Sequence, residues 1–380
     1  MLPSSPSGLR TGSGTGSRFR ARDLSAPWRH VDVALLVAVG LVVLIGSAMV
    51  YSATRHLAGG TGFMARHLLF IVLGVAGMAA LSLVDYRRIA DWWQVLYGVS
   101  IVLLLGVLTP LGAVVNGTKG WYRIGPMTLQ PAEFAKLATI VAVAAYLGSV
   151  ERVDLRRLAV ALGLIAVPTG ITLLQPDLGS ALVFIVVALG MLVVGGVQMR
   201  HLLVLVLLGI VAVVGILNSG TLDQYQKDRL TSFVSPSGQS YNVEQAQRAI
   251  GSGGLTGYGF TKGPQTRGGY VPEQQTDFIF TVAGEELGFV GAGALILLLG
   301  VIIWRIWRIA QLAADPLGTL ICVGIMSMFL FHIFENVGMT LGIMPVTGIP
   351  LPFVSYGGSS MLTSFAAVGL VQSVHMHRFA

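Results

Sequence analysis

Thr276-Asp277-Phe278-Ile279-Phe280-Thr281-Val282-Ala283-Gly284-Glu285-Glu286-Leu287-Gly288 marks the point where a polar, glycine-rich segment (219–275) becomes an apolar run that continues to residue 303. About 20 mostly apolar residues cross a bilayer as a helix, so the stretch predicts a membrane span with a carboxylate, Asp277, at its mouth. A charge at that depth is costly unless it is paired or used. It also lies level with lipid headgroups, where a membrane enzyme could reach the head of a lipid substrate. A helix cap is the plain alternative.

The rest of the chain reads the same way. Of its 380 residues 54% are hydrophobic and only 11% charged, and the mean hydropathy is +0.77. Soluble domains carry roughly 25% charged residues, so lipid must be part of this chain's solvent. Ten spans are predicted: 32–53, 67–86, 93–110, 131–148, 158–174, 177–196, 200–218, 277–303, 317–340 and 358–376. Only Gln175-Pro176-Asp177 divides the fifth from the sixth, and proline after a polar break marks a turn or a helix start. The expected fold class is all-α: a polytopic membrane protein with about ten transmembrane helices and a large extracytoplasmic loop, 219–275. Residues 1–30, rich in Ser, Gly and Arg, read as a disordered basic tail, and 31–380 as a single membrane domain.

The net charge of +7 is spread over the ends of apolar spans. That is the pattern of a membrane protein, and nucleic acid is not expected as a partner. With the N-terminus inside, the inner segments hold Arg10, Arg18, Arg20, Arg22, Arg29, Arg87, Arg88, Arg152, Arg156, Arg157, Arg200, Arg305, Arg308 and Arg378. The short outer segments hold Arg55, Arg66, Lys119 and Arg123. The positive-inside rule then puts both termini in the cytoplasm and the loops 111–130, 219–275 and 341–357 outside. The single cysteine, Cys322, sits within a span, so no disulfide can form within the chain.

Several polar residues stand where lipid-facing helices would not carry them. Pro131 suits a first helical turn. Glu133 and Lys136, three apart, share a helix face and can pair, with Trp121 and Tyr122 as interfacial anchors. Asp177 follows Pro176 and suits a helix N-cap. Glu285 and Glu286 lie about two turns from Asp277, roughly 12 Å deeper, and facing different ways they should have different partners. His332, Glu335 and Asn336 share one face of the ninth span. One His and one carboxylate make a weak ligand set, and interhelical hydrogen bonding is the stronger reading. The glycines at 251–269, including Gly257-Tyr258-Gly259, are no nucleotide site, for no parallel strand precedes them and no G-x-x-x-x-G-K-[ST] follows. They allow close backbone approach to a ligand or a tight re-entrant path. Pro345 through Ser360 is a broken outer segment, which membranes tolerate only where it is buried in protein or lines a cavity. Glu133, Lys136, Asp177, Asp277 and Ser355 are thus candidates to line an outward cavity. A transporter and a membrane enzyme both fit.

These segments resemble the SEDS family of bacterial cell-wall proteins (shape, elongation, division and sporulation). The resemblance rests on Met49-Val50-Tyr51-Ser52-Ala53, Gln130-Pro131-Ala132-Glu133-Phe134-Ala135-Lys136, Gln175-Pro176-Asp177-Leu178-Gly179, Pro272-Glu273 with Thr276 to Phe280, Glu285-Glu286-Leu287-Gly288, and Pro345 to Ser360. They occur in the family's order over residues 30–378, and Ala132 stands where the family usually has Ser. Asn336 through Phe353 looks more like the elongation branch than the division branch. The resemblance implies a peptidoglycan glycosyltransferase of the bacterial cytoplasmic membrane that polymerises lipid II beside a class B penicillin-binding protein. It places the family's essential extracytoplasmic aspartate on Asp277, the conserved Glu and Lys on Glu133 and Lys136, the Gln-Pro-Asp aspartate on Asp177 and the loop tryptophan on Trp121.

Glycan polymerisation needs a base for the acceptor hydroxyl and cations for the departing diphosphate. Asp277 is the expected base, and partial desolvation would raise its pKa towards neutrality. Lys136 and Arg123 are the expected cations, with Glu133 holding Lys136, and a divalent cation (Mg or Mn) is a candidate cofactor. A lipid II flippase and a non-catalytic scaffold for the penicillin-binding protein are the rival readings.

Overall fold

The computed structural model describes residues 30–57, 60–115, 117–125, 127–149, 153–218 and 241–379. The basic tail through residue 29 and the loop portion 219–240 lie outside the described residues.

Helices stand at all ten expected positions. They are α1 (Val33–Thr54), α2 (Gly60–Leu83), α4 (Trp93–Leu108), α5 (Pro131–Gly148), α6 (Leu155–Leu174), α7 (Leu178–Val194), α8 (Met199–Asn218), α11 (Ile279–Gln311), α12 (Pro316–Thr340) and α13 (Gly358–Met376). Short α3 (Tyr86–Asp91) links α2 to α4, and α9 (Tyr241–Ser252) and α10 (Pro264–Gly268) structure the second half of the long loop. Six helices among the described residues are long and apolar enough to span a membrane: α1, α2, α5, α6, α11 and α12. Helix α13 is not among them, for a reason visible in its burial. It is covered along nearly its whole length, Ser360, Thr363, Ser364, Gln372 and Ser373 included, so it meets protein rather than lipid and has no need of a uniformly apolar surface.

Small residues bring α13 against α2. A Cβ on Gly369 would stand 2.8 Å from the Met78 carbonyl oxygen, and one on Gly74 would enter the Phe365 ring. Close helix approach through small residues is the usual way to gain packing where lipid offers no hydrophobic drive. At the start of α1, Asp32 caps the helix by accepting from Leu35 N at 2.9 Å, and it is paired with Arg305 of α11. Asp315 caps α12 through Gly318 N and accepts from Tyr86 and Arg87, each at 2.8 Å.

Two features depart from the expected outline. Residues 111–130 are not irregular throughout: β1 (Gly112–Val115), β2 (Thr118–Ile124) and β3 (Met127–Leu129) form an antiparallel meander, with Ala113 opposite Trp121 and Tyr122 opposite Leu129. The strands are short, and Gly117 (φ 81°) supplies the left-handed backbone that a tight hairpin turn uses. Helix α2 begins seven residues earlier than expected, at Gly60, so Arg66 lies in its second turn rather than before it.

The loop glycines make a close backbone approach to α11. This helix is broken at Gly288 (φ 66°, ψ −167°). Residues 254–259 fill the break. Tyr258 N and Gly259 N donate to the carbonyls of Glu285 and Glu286 at 3.1 and 2.9 Å, and Phe289 N and Val290 N donate to those of Gly254 and Leu255 at 2.8 and 3.1 Å. Backbone groups freed within a membrane must find partners in the protein. The contact is tight, for a Cβ on Gly257 (φ 76°) would lie 2.2 Å from the Glu286 carbonyl oxygen.

Candidate active site

Asp277 sits two residues before α11, half-buried, on the wall of a cavity of about 360 Å³. Helix α12 fixes its backbone, since Asn336 Nδ2 donates to the Asp277 carbonyl at 2.8 Å and also to the Ile349 carbonyl at 2.8 Å. The broken segment 345–357 forms the facing wall. Gly348 (φ 75°) stands against the carboxylate, and a Cβ there would lie 3.3 Å from Asp277 Oδ2. Thr347 donates to Glu335 Oε1 at 2.8 Å, while Glu335 Oε2 is buried with no partner.

The cavity collects Asp277, Asp177 and Trp121 from three separate segments. Asp177 is an N-cap as well as a lining residue. Its Oδ1 accepts from Ser180 N at 2.9 Å, and its Oδ2 accepts from Ser180 Oγ at 2.8 Å and from Gln130 Nε2 at 3.0 Å. Trp121 is presented by the middle strand of the meander.

The other expected residues are elsewhere. Glu133 and Lys136 form a buried ion pair at 2.7 Å, both no more than 3% exposed, and Lys136 Nζ also contacts His332 Nε2 at 3.2 Å. Helix packing has closed over the ammonium, so in this arrangement it does not line the cavity. Arg123 is exposed on β2 and likewise lies off the lining. Ser355 is buried, where its hydroxyl accepts from Leu351 N at 2.8 Å and secures the turn of the 345–357 segment.

Sequence reading missed Arg66, Glu273, Thr276 and Tyr356 as lining residues. Arg66 is the cation of the lining, and its guanidinium lies 4.9 Å from the Phe63 ring centroid. A signal was present: an Arg-His pair within an apolar run is an intramembrane charge that asks for a function. Tyr356 packs edge-on to Phe63 at 5.3 Å between centroids, and its N–H donates to the Gln275 carbonyl at 2.8 Å. Burial pushes its phenol above the ordinary value, with Arg66 opposing, so it stays a protonated donor at neutral pH.

Glu285 and Glu286, the deep carboxylates, have different partners, and neither lines the cavity. Glu285 accepts from Gln265 N (2.7 Å), Thr266 N (2.9 Å) and Thr266 Oγ1 (2.6 Å) at the start of α10. Glu286 accepts from Ser52 Oγ (2.5 Å) and Thr261 N (2.9 Å).

The model of the FtsW/RodA/SpoVE cell cycle proteins matches residues 29–379. The chain belongs to this family. It is 38% identical over 356 residues to stage V sporulation protein E of Bacillus subtilis (strain 168), covering 90% of this chain and 96% of that one. It is 34% identical over 354 residues to the peptidoglycan glycosyltransferase MrdB of Escherichia coli (strain K12), covering 92% and 94%. Among solved structures, the rod shape determining protein RodA of Thermus thermophilus superposes with a TM-score of 0.72 at 32% identity, over 93% of this chain and 99% of that one. A chain from a peptidoglycan synthase complex, described for its coordination of polymerization and crosslinking, gives 0.79 at 32% identity, over 92% and 98%. As an FtsW/RodA/SpoVE protein with RodA-like relatives, the chain is an all-α polytopic membrane protein, and the cavity described above lies in its family domain.

Proposed function

We propose that this protein is a peptidoglycan glycosyltransferase that polymerises lipid II during cell elongation, at the outer face of the bacterial cytoplasmic membrane, with both termini in the cytoplasm. The observation that carries the reading is the cavity whose lining brings Asp277 and Arg66 together. The reaction joins a hydroxyl of the acceptor sugar to the anomeric carbon of the donor. The new C–O bond forms as the bond from that carbon to the undecaprenyl diphosphate breaks. Asp277 accepts the hydroxyl proton, and the diphosphate leaves with the electron pair. Arg66 is placed to meet the diphosphate, and an arginine fork suits phosphate oxygens. Tyr356 adds a hydroxyl donor to the same lining, while the Thr276 hydroxyl donates to Glu273. Trp121 and Phe63 offer apolar faces for sugar rings. Glu133 and Lys136 act from behind the wall, as a neutralised pair that sets the packing of α5 against α12.

Among the described residues no group of three His, Cys, Asp or Glu side chains could hold a metal ion. A divalent cation would be held by one or two carboxylates of the lining together with the substrate's diphosphate, and no step is assigned to it. Glu285 and Glu286 are engaged by loop backbone and by hydroxyls, which supports chemistry in the cavity over passage of a substrate past these two carboxylates. The kinship with a chain of a peptidoglycan synthase complex supports a class B penicillin-binding protein as partner.

The test is glycan-chain formation from lipid II by purified protein with its partner. Asp277→Asn should abolish polymer while leaving lipid II binding intact. Near wild-type polymer from that variant refutes the base assignment. Polymer lost only when the partner is omitted, whatever stands at 277, supports the scaffold instead.

A further inference from the structure

We propose that Asn336 is the positioning residue for Asp277, an inference that rests on the reading of Asp277 as the base. Asn336 is fully buried on α12, and its Nδ2 spends both hydrogens on carbonyls, that of Asp277 and that of Ile349, each at 2.8 Å. Those carbonyls belong to the two segments that must meet at the reacting atoms. One carries the carboxylate. The other carries Gly348, whose missing side chain leaves room for Asp277 Oδ2. The single amide therefore sets the gap between the base and its facing wall. Its orientation is set by the same contacts, because a flipped amide would aim an oxygen at two carbonyl oxygens. Asn336 Oδ1 is buried without a partner, so the two donor bonds are what compensates for burying this polar side chain. Neighbouring Glu335 secures the same wall through Thr347. Neither Asn336 nor Glu335 lines the cavity, so neither touches the substrate.

A misplaced catalytic group loses rate even when substrate still binds, and a displacement near 1 Å costs about 100-fold. Asn336→Ala removes both donors, and Asn336→Ser restores one. Gly348→Ala pushes on the carboxylate from the facing wall. With lipid II as substrate, Asn336→Ala should lower kcat about 100-fold while KM stays within about threefold. Asn336→Ser should recover part of kcat, and Gly348→Ala should lower kcat with the same spared KM. An unchanged kcat in Asn336→Ala overturns the inference. So does a loss shared by kcat, lipid II binding and thermal midpoint with no recovery in Asn336→Ser, which is the signature of a purely structural bond. Should Asn336→Ala not fold, normal kcat in both Asn336→Ser and Gly348→Ala overturns it. An Asp277→Asn protein that still polymerises removes the base reading and this inference together. An inactive Asp277→Asn beside an unaffected Asn336→Ala removes this inference alone.

Discussion

Glu285→Ala isolates what holds the long loop before α11 in place. Glu285 is fully buried and accepts three hydrogen bonds from the start of α10, two from backbone N–H groups and one from the Thr266 hydroxyl. A hydrogen bond to a charged group contributes about 1.5–3 kcal/mol, and each buried donor left unpaired costs about 1–3 kcal/mol. The freed donors can regain water only if α10 lifts away, so the variant should trade the penalty for local opening. Taking the low end of one such term for each of the two amides gives about 3 kcal/mol, or roughly 150-fold in the opening equilibrium. Thr266 O also accepts from Gln274 Nε2 at 3.1 Å, so the opening should spread along the segment towards Asp277. The assay is amide hydrogen exchange in detergent or nanodiscs. Exchange at Gln265 and Thr266 should rise about 100-fold, while amides of α12 and α13 keep wild-type protection. Unchanged exchange over 263–270 would refute the claim that Glu285 clamps the loop.

Gly288→Ala forces a Cβ to within 2.3 Å of Gly257 N at a left-handed φ, so the thermal midpoint should fall by several degrees and the loop should become protease-sensitive; a wild-type midpoint contradicts the tight fit. Arg66→Gln should raise KM for lipid II by about tenfold or more, whereas Lys136→Met, which strands buried Glu133, should chiefly reduce folded yield; the reverse pattern in steady-state kinetics and detergent-extracted yield overturns the placement of the two cations. Burial alone would raise the pKa of Asp315, yet Gly318 N, Arg87 and Tyr86 hold it below the ordinary carboxylate value. Its contribution to stability is therefore full above about pH 4 and fades as pH falls through the lower folded value. Thermal midpoints of wild type and Asp315→Asn should stay a constant distance apart above about pH 5 and converge in acid, and a constant gap down to about pH 3 contradicts the assignment.

Helix positions were legible because a bilayer imposes one length and one composition on every lipid-facing span. Pro131 and Gly358 mark helix starts that were expected at those residues. The meander at 112–129 was less legible, as its strands run three to seven residues and lie between stronger helical signals. Asp277 and Asp177 were legible as residues out of keeping with lipid, and Trp121 only through the family resemblance. Which of the charged residues share one cavity was not, because that depends on side-chain direction about each helix. Lys136 and Arg66 show the difference: both are basic residues near the first turns of their helices, yet one is closed over by α12 and the other lines the cavity. The start of α2 decided the second case, and the glycines at 60 and 62 concealed it.

The splice at Gly288 carries a consequence for biogenesis. The four peptide groups that complete α11 at its break, the N–H groups of Tyr258 and Gly259 and the carbonyls of Gly254 and Leu255, come earlier in the chain and lie in the polar loop. A nascent α11 entering the bilayer alone would carry open carbonyls and amides into hydrocarbon, at several kcal/mol each. The span is finished only when the loop that precedes it has folded back against it. Folding of that loop and insertion of that helix are thus one event, and the carboxylate at the mouth of α11 takes its place only once both are done.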